Sequence, residues 1–212
     1  MQLYSYFRSS AAYRVRIALH LKGLAFDTIP VHLLRNGGEQ HSSAYRALNP
    51  SELVPTLVDQ GLALGQSVAI LEYLEEAYPT PALLPLERAQ RAQVRAVVQT
   101  VACDIHPLNN LRVLQYLEHT LHIPQGLRDD WYRNWVLQGL TTLETLLAPT
   151  RGDFCFGDQP TLADCCLVPQ MANARRFSTP LDAFPTLVRI DAHCRALPAF
   201  AAAAPEHQPD FA

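Results

Sequence analysis

Three short polar stretches in this 212-residue chain have the composition and setting to do chemistry. In the first, Arg8-Ser9-Ser10 separates an apolar stretch, Leu3 to Tyr6, from a run in which Val15, Ala18 and Leu19 recur at helical spacing. That pattern predicts a strand, a turn and a helix running to about Lys22, where Gly23 supplies the stop. Ser9 and Ser10 then stand at a helix N-terminus, where unsatisfied N–H groups and the positive dipole end favour an anion. Two readings fit: a plain N-cap worth about 1 kcal/mol, or a seat for an anion or thiolate. The second stretch is Val54-Pro55 at the mouth of a strand. A cis bond there would turn the backbone N–H and C=O of Val54 outward, where an extended peptide could pair with them. The third, Gln66-Ser67, opens another helix and could hold a carboxylate, with Ser67 as an ordinary cap the alternative.

The elements that must position these turns follow in order. After the first helix come a strand over 26–31, a polar loop, a short helix over 42–48, a strand over 53–59, a return strand over 62–64 and a helix over 68–78. This order predicts a small mixed sheet with helices on both sides, complete by residue 80. The proline-rich bridge 79–85 marks the expected domain boundary, and beyond it strand signals cease. Val94, Val97, Val98, Val101 and Ile105 keep helical spacing in a helix broken near Pro107, and Val136, Leu140, Leu143 and Leu147 form a second stripe. Thr161-Leu162-Ala163-Asp164 has the form of a capping box opening a helix to Ala174, and 186–197 is the last clear helix. The expected domains are 1–80, α/β, and 87–212, all-α, with no strong pattern in the tail.

Composition removes several function classes. A net charge of −3 gives no bulk attraction to nucleic acid or an anionic membrane. No apolar run approaches the ~20 residues of a membrane span, and the N-terminal residues do not read as a secretory leader. Five cysteines without a CxxC do not form a disulfide framework, which leads us to expect a reducing, cytoplasmic compartment. The eight histidines show no metal-type cluster, so no metal is expected, and His119 and His122 read as surface residues. Lys22 is the only lysine, so nearly every cation is an arginine, a potential fork for a carboxylate.

Taken together, several runs resemble the zeta class of the glutathione transferase family. They are Ser9-Ser10 with Arg14-Val15-Arg16-Ile17-Ala18-Leu19; Ala47-Leu48-Asn49-Pro50 through Val54-Pro55-Thr56-Leu57; Gln66-Ser67 with Glu72-Tyr73-Leu74-Glu75-Glu76; Pro107-Leu108 with Asn110-Leu111; Cys166-Leu167-Val168-Pro169-Gln170; and the closing Gln208-Pro209-Asp210. The resemblance spans essentially the whole chain. It implies a thioredoxin-like N-terminal domain, an all-helical C-terminal domain and a homodimer. Among zeta members the bacterial maleylpyruvate isomerases are the nearest in pattern. Maleylacetoacetate isomerase activity is the first alternative and a detoxifying transferase or a non-catalytic module the others. One departure is Ala11, where the class usually has a cysteine; isomerisation here would then need no protein thiol. Arg112 is a second, at a position expected to be small or polar.

The implied cofactor is glutathione and the implied substrate a cis-enedione dicarboxylate. By resemblance, Ser9 stabilises the cofactor thiolate. Ser10, in the same turn, is also assigned to the cofactor, Val54 pairs with the cysteinyl backbone, and Gln66 and Ser67 hold the γ-glutamyl end. Gln40, His106 and Asn110 assist. Arg8, Arg176 and Arg112 are the candidate cations for the substrate carboxylates and the developing enolate, with Arg175 the surface member of its pair.

Overall fold

The computed structural model describes residues 1–211. They fall into two compact units: Met1–Leu84 together with the closing segment from Arg195, and Pro85–Cys194.

In the first unit the order is β1 (Gln2–Ser5), α1 (Ser10–Leu21), β2 (Asp27–Pro30), α2 (Ser43–Leu48), β3 (Thr56–Asp59), β4 (Leu62–Gly65) and α3 (Ser67–Ala77). The sheet order is β2-β1-β3-β4. β1 and β2 are parallel, joined through α1, while β1–β3 and β3–β4 are antiparallel. Both strand prolines sit where no ladder bond is lost: Pro30 ends the edge strand β2, and Pro55 precedes β3. Leu3 and Leu57, facing partners in the register, are buried together with Val15, Ile17, Leu19, Ile70, Leu71 and Leu74.

Helix α1 is buried on more sides than its apolar spacing suggests, because Arg14 and Arg16 are buried too. The closing segment explains this. It forms a further helix, α9 (Pro198–Ala203), which packs against α1. Arg16 Nε donates to the Ala203 carbonyl at 2.9 Å. By contact, the closing segment from Arg195 groups with the first unit. The tail thus gives the buried guanidinium a carbonyl partner beyond the one it finds at Phe7, as a charge with five N–H groups requires. The bridge after α3 is tied down as well. Lys22 Nζ donates to Glu75 and to the Tyr78 and Pro81 carbonyls, each at 2.8 Å, and Glu75 accepts from the Leu83 and Leu84 N–H groups.

The second unit is helical: α4 (Arg88–Gln99), a wide π-type turn at Thr100–Ile105, a 3-10 turn at His106–Asn109, α5 (Leu111–His119), α6 (Gln125–Leu147), α7 (Leu162–Arg176) and α8 (Pro185–Arg195). The expected break at Pro107 is the 3-10 turn. Val94, Val98, Ile105, Val136, Leu140, Leu143, Met171 and Ile190 form the core. Ile105 lies so close to Gly139 that a Cβ there would sit 2.2 Å from its side chain. Pro169 stays inside α7, which runs two residues past Ala174 to Arg176. Among the described residues no helix is long and apolar enough to cross a membrane, and no group of His, Cys, Asp and Glu could hold a metal ion.

Candidate active site

The β1–α1 turn is built from both ends. Ser9 is the N-cap of α1, and its Oγ accepts from the Ala12 N–H at 3.2 Å. Its own N–H donates to the Tyr6 carbonyl at 2.9 Å. The capping reading is thus realised, and it does not exhaust the hydroxyl: the oxygen accepts, and its proton remains to be donated. Ser9 is partly exposed, Ser10 is buried behind it, and Arg8 is exposed with its guanidinium 5.0 Å from the Phe7 ring centre.

Beneath the turn lies Arg16. Its Nη1 donates to Ser5 Oγ at 3.0 Å and its Nη2 to the Phe7 carbonyl at 3.2 Å. Burial lowers its pKa to about 10, with Tyr13 and Asp210 opposing the shift. Phe7 is held from the other side too, its N–H donating to Asp210 Oδ2 at 3.0 Å. Neither Arg16 nor Asp210 was assigned a site role from the sequence. The closing Gln208-Pro209-Asp210 motif was the only signal for the second, and nothing local indicates what it meets.

The other turns of this unit have their own geometry. The Val54–Pro55 bond is cis. The Leu53 carbonyl accepts from Tyr45 Oη and Asn49 Nδ2 at 2.7 and 2.8 Å. Among the described residues, neither backbone polar group of Val54 has a hydrogen-bond partner. Gln66 is exposed and caps α3 from the left-handed region, φ 66°. Ser67 is the first helical residue, buried, and its Oγ accepts from Arg14 Nη1 at 3.1 Å. A cation therefore lies under the N-terminus of α3.

Gln40 sits in the loop between β2 and α2, buried against Gly38. Gly38 has φ 106°, which calls for glycine, and a Cβ on it would also displace the Gln40 amide, 2.5 Å away. Gln40 Nε2 lies 3.0 Å from His41 Nε2, while its Oε1 is buried with no hydrogen-bond partner among the described residues. The far nitrogen of His41 bonds Glu52, which Arg46 also pairs. The His41 bond chiefly, and Arg46 after it, holds the Glu52 carboxyl below its ordinary range.

In the helical unit, His106, Asn110 and Arg112 gather at the start of α5. Asn110 is its N-cap, accepting from the Arg112 N–H at 3.1 Å, with its Nδ2 3.3 Å from His106 Nε2. The Arg112 side chain is exposed. The Arg175–Arg176 pair separates clearly. Arg175 is bound to the buried carboxylate of Asp191, a structural ion pair. Arg176 is exposed at the C-terminus of α7, its guanidinium 4.9 Å from the Phe177 ring centre and hydrogen-bonded to Tyr132, which stacks on Phe177 at 3.6 Å. Burial pushes the Tyr132 hydroxyl up to about 12, against the pull of Arg176.

The comparisons with known proteins agree with this architecture. Residues 3–82 match the glutathione S-transferase N-terminal domain and residues 136–202 the C-terminal domain. A probable maleylacetoacetate isomerase of Vibrio cholerae is 53% identical over 208 residues, 98% of this chain and 97% of that one. A solved holo structure of a maleylpyruvate isomerase, described as a bacterial zeta-class glutathione S-transferase, superimposes with a TM-score of 0.97 at 48% identity, covering 100% of both chains. The maleylacetoacetate isomerase of Methylobacterium extorquens AM1, solved with bound malonate and glutathione, gives 0.95 at 41% identity, again over 100% of both.

Proposed function

The chain belongs to the glutathione S-transferase family, and from that premise we propose that it is a glutathione-dependent cis–trans isomerase converting maleylpyruvate to fumarylpyruvate. The observation that carries the mechanism is the Ser9 hydroxyl, which accepts from Ala12 and keeps its proton. Donating an N–H into that oxygen polarises its O–H bond and makes it the better donor.

The cofactor fits the residues present. The two unpartnered backbone groups of Val54 can pair with an extended tripeptide as an added strand. The N-terminus of α3, with Gln66 exposed and Arg14 beneath Ser67, suits a carboxylate. Gln40, with its spare amide oxygen, and His106 and Asn110 are assigned supporting contacts. When bound, glutathione supplies the thiolate that adds to the carbon–carbon double bond, making it a rotatable single bond until elimination restores it.

Ser9 must hold that sulfur as an anion. A free thiol with a pKa of ~8.5 is only a few per cent ionised at neutral pH. Lowering it by about two units takes ~2.7 kcal/mol. A hydrogen bond to a charged acceptor gives about 1.5–3 kcal/mol and a helix N-terminus about 0.3–1, so Ser9 at the α1 terminus suffices. No protein thiol is needed, and position 11 is alanine. The substrate's carboxylates and developing enolate call for cations; Arg8, Arg176 and Arg112, each exposed, are assigned to them.

The Vibrio cholerae relative favours a second reading, maleylacetoacetate as substrate. The two substrates differ by one methylene, worth about 1–3 kcal/mol in a pocket. Steady-state kinetics on both decide it: a higher kcat/KM for maleylpyruvate is expected, and an equal or reversed ratio overturns that choice. Isomerisation at full rate without glutathione overturns the mechanism. The reading extends to a cytoplasmic homodimer. None of the five cysteines is in a disulfide, which supports a reducing compartment, and the dimer rests on the family resemblance. Sedimentation at a monomer's mass would refute the dimer.

A further inference from the structure

We propose that Asp210, with Phe211 beside it, is a positioning residue that latches the Tyr6–Ser9 turn and so fixes where the Ser9 hydroxyl points. The inference rests on the thiolate role given to Ser9 above.

Phe7 is the fixed point of the turn. Its N–H donates to Asp210 Oδ2 at 3.0 Å, its carbonyl accepts from Arg16 Nη2 at 3.2 Å, and its ring meets Phe211 edge-on with centroids 5.5 Å apart. The two charged partners attract one another. Arg16 in turn donates to the Ala203 carbonyl, and Gln208 Nε2 to the carbonyls of Ala202 and Ala204, so the tail is organised before it reaches the turn. Arg8 and Ser9 are the next two residues after Phe7, and the Ser9 N–H closes the turn on the Tyr6 carbonyl. Without the carboxylate, the Phe7 N–H loses its acceptor and the turn is held from one side only.

A purely structural role does not account for Asp210 well. Its Oδ1 is buried with no hydrogen-bond partner among the described residues. A carboxylate oxygen taken from water without a partner is an expensive stabilising device, and such departures concentrate where function requires them. The bond also spans 203 residues, so it forms only in the folded chain.

The test uses Asp210→Ala, Asp210→Asn, Phe211→Ala and, in parallel, Ser9→Ala in the full chain. Two readouts do not depend on turnover: hydrogen exchange of the residue 7–10 amides without ligand, and the pKa of bound glutathione from the ultraviolet absorbance of its thiolate. Asp210→Ala should speed exchange of these amides about tenfold, raise the thiol pKa by about one unit and lower kcat about tenfold, while KM for glutathione changes less than threefold. Asp210→Asn, which keeps an acceptor but not the charge, should fall between it and the wild type, and Phe211→Ala should lower kcat about twofold. Unchanged exchange and an unchanged thiol pKa in Asp210→Ala overturn the proposal. If that variant does not fold, the same two unchanged values in the isosteric Asp210→Asn overturn it. Ser9→Ala separates the two claims. If it leaves the thiol pKa in place, the Ser9 mechanism fails. If it raises that pKa and the Asp210 variants do not, only the latch falls.

Discussion

Among the helices that open on a polar residue, α7 and α1 use it in opposite ways. At the start of α7, Thr161 and Asp164 form a closed capping box. Asp164 accepts from the Thr161 N–H, the Thr161 hydroxyl and the Cys155 N–H, each at 2.8 Å, and is fully buried. Burial pushes its carboxyl up, and the hydrogen bonds from Cys155 and Thr161 pull it back. At the start of α1, Ser9 accepts one N–H, stays partly exposed and keeps a proton to give. The first arrangement has spent its hydrogen-bonding capacity on the fold. The second holds some in reserve, and a reserved donor at a helix N-terminus can act on a ligand.

The contrast can be broken most severely at α7. Asp164→Ala leaves three buried donors without an acceptor and should destabilise the protein by about 3–4 kcal/mol in denaturant titration. The folded fraction should still bind glutathione with its thiol pKa unchanged. Ser9→Ala should show the converse: about 1 kcal/mol of stability lost as a cap, but kcat/KM for isomerisation down about a hundredfold, or ~2.7 kcal/mol of transition-state stabilisation. If the two variants lose stability and activity in the same proportion, the distinction between the caps is wrong.

A third helix start sharpens the comparison. Gln66 adopts φ 66°, which a non-glycine residue holds at a cost of about 1 kcal/mol or more. Gln66→Gly should therefore stabilise the fold by about 0.5–1 kcal/mol and raise the glutathione KM several-fold with kcat little changed. A lowered or unchanged KM would mean that Gln66 holds no part of the cofactor. The smallest effect concerns the last turn of α1. Burial, and then Arg16, lowers the pKa of His20. The unfolded chain thus binds more protons than the folded one between the lowered value and the ordinary ~6.5. Stability should rise with pH across that window and fall on acidification, and His20→Gln should flatten the slope in melts taken from pH ~5 to ~7.

The same comparison shows how far the chain could be read before folding. The Thr161–Asp164 box was legible because both partners lie within four residues and cap geometry is local. Ser9 was legible as a residue at a helix start, but whether its hydroxyl was used up could not be read. That depends on which donors reach it. The Arg175–Arg176 pair shows the limit: their identical side chains were separated by Asp191, sixteen residues beyond Arg175, which claims one guanidinium and leaves the other at Tyr132. The tail could not be read for the same reason. Helix α9 forms from a weak pattern because it has α1 to pack against.

By itself, the sequence determined what is periodic or contiguous: the βαβ and αββα order, the helical second half, the break at Pro107 and the three polar turns. Hydrophobic spacing and capping act over one or two turns of chain, so they survive in the primary structure. Only the tertiary structure decided the partners of buried charge. Arg16 and Asp210 are separated by nearly the whole chain, and each reads locally as a surface residue. They are functional candidates because folding brings them to opposite ends of one residue, Phe7. A charge removed from water must find its partner wherever the fold puts one, and no local pattern records where that is.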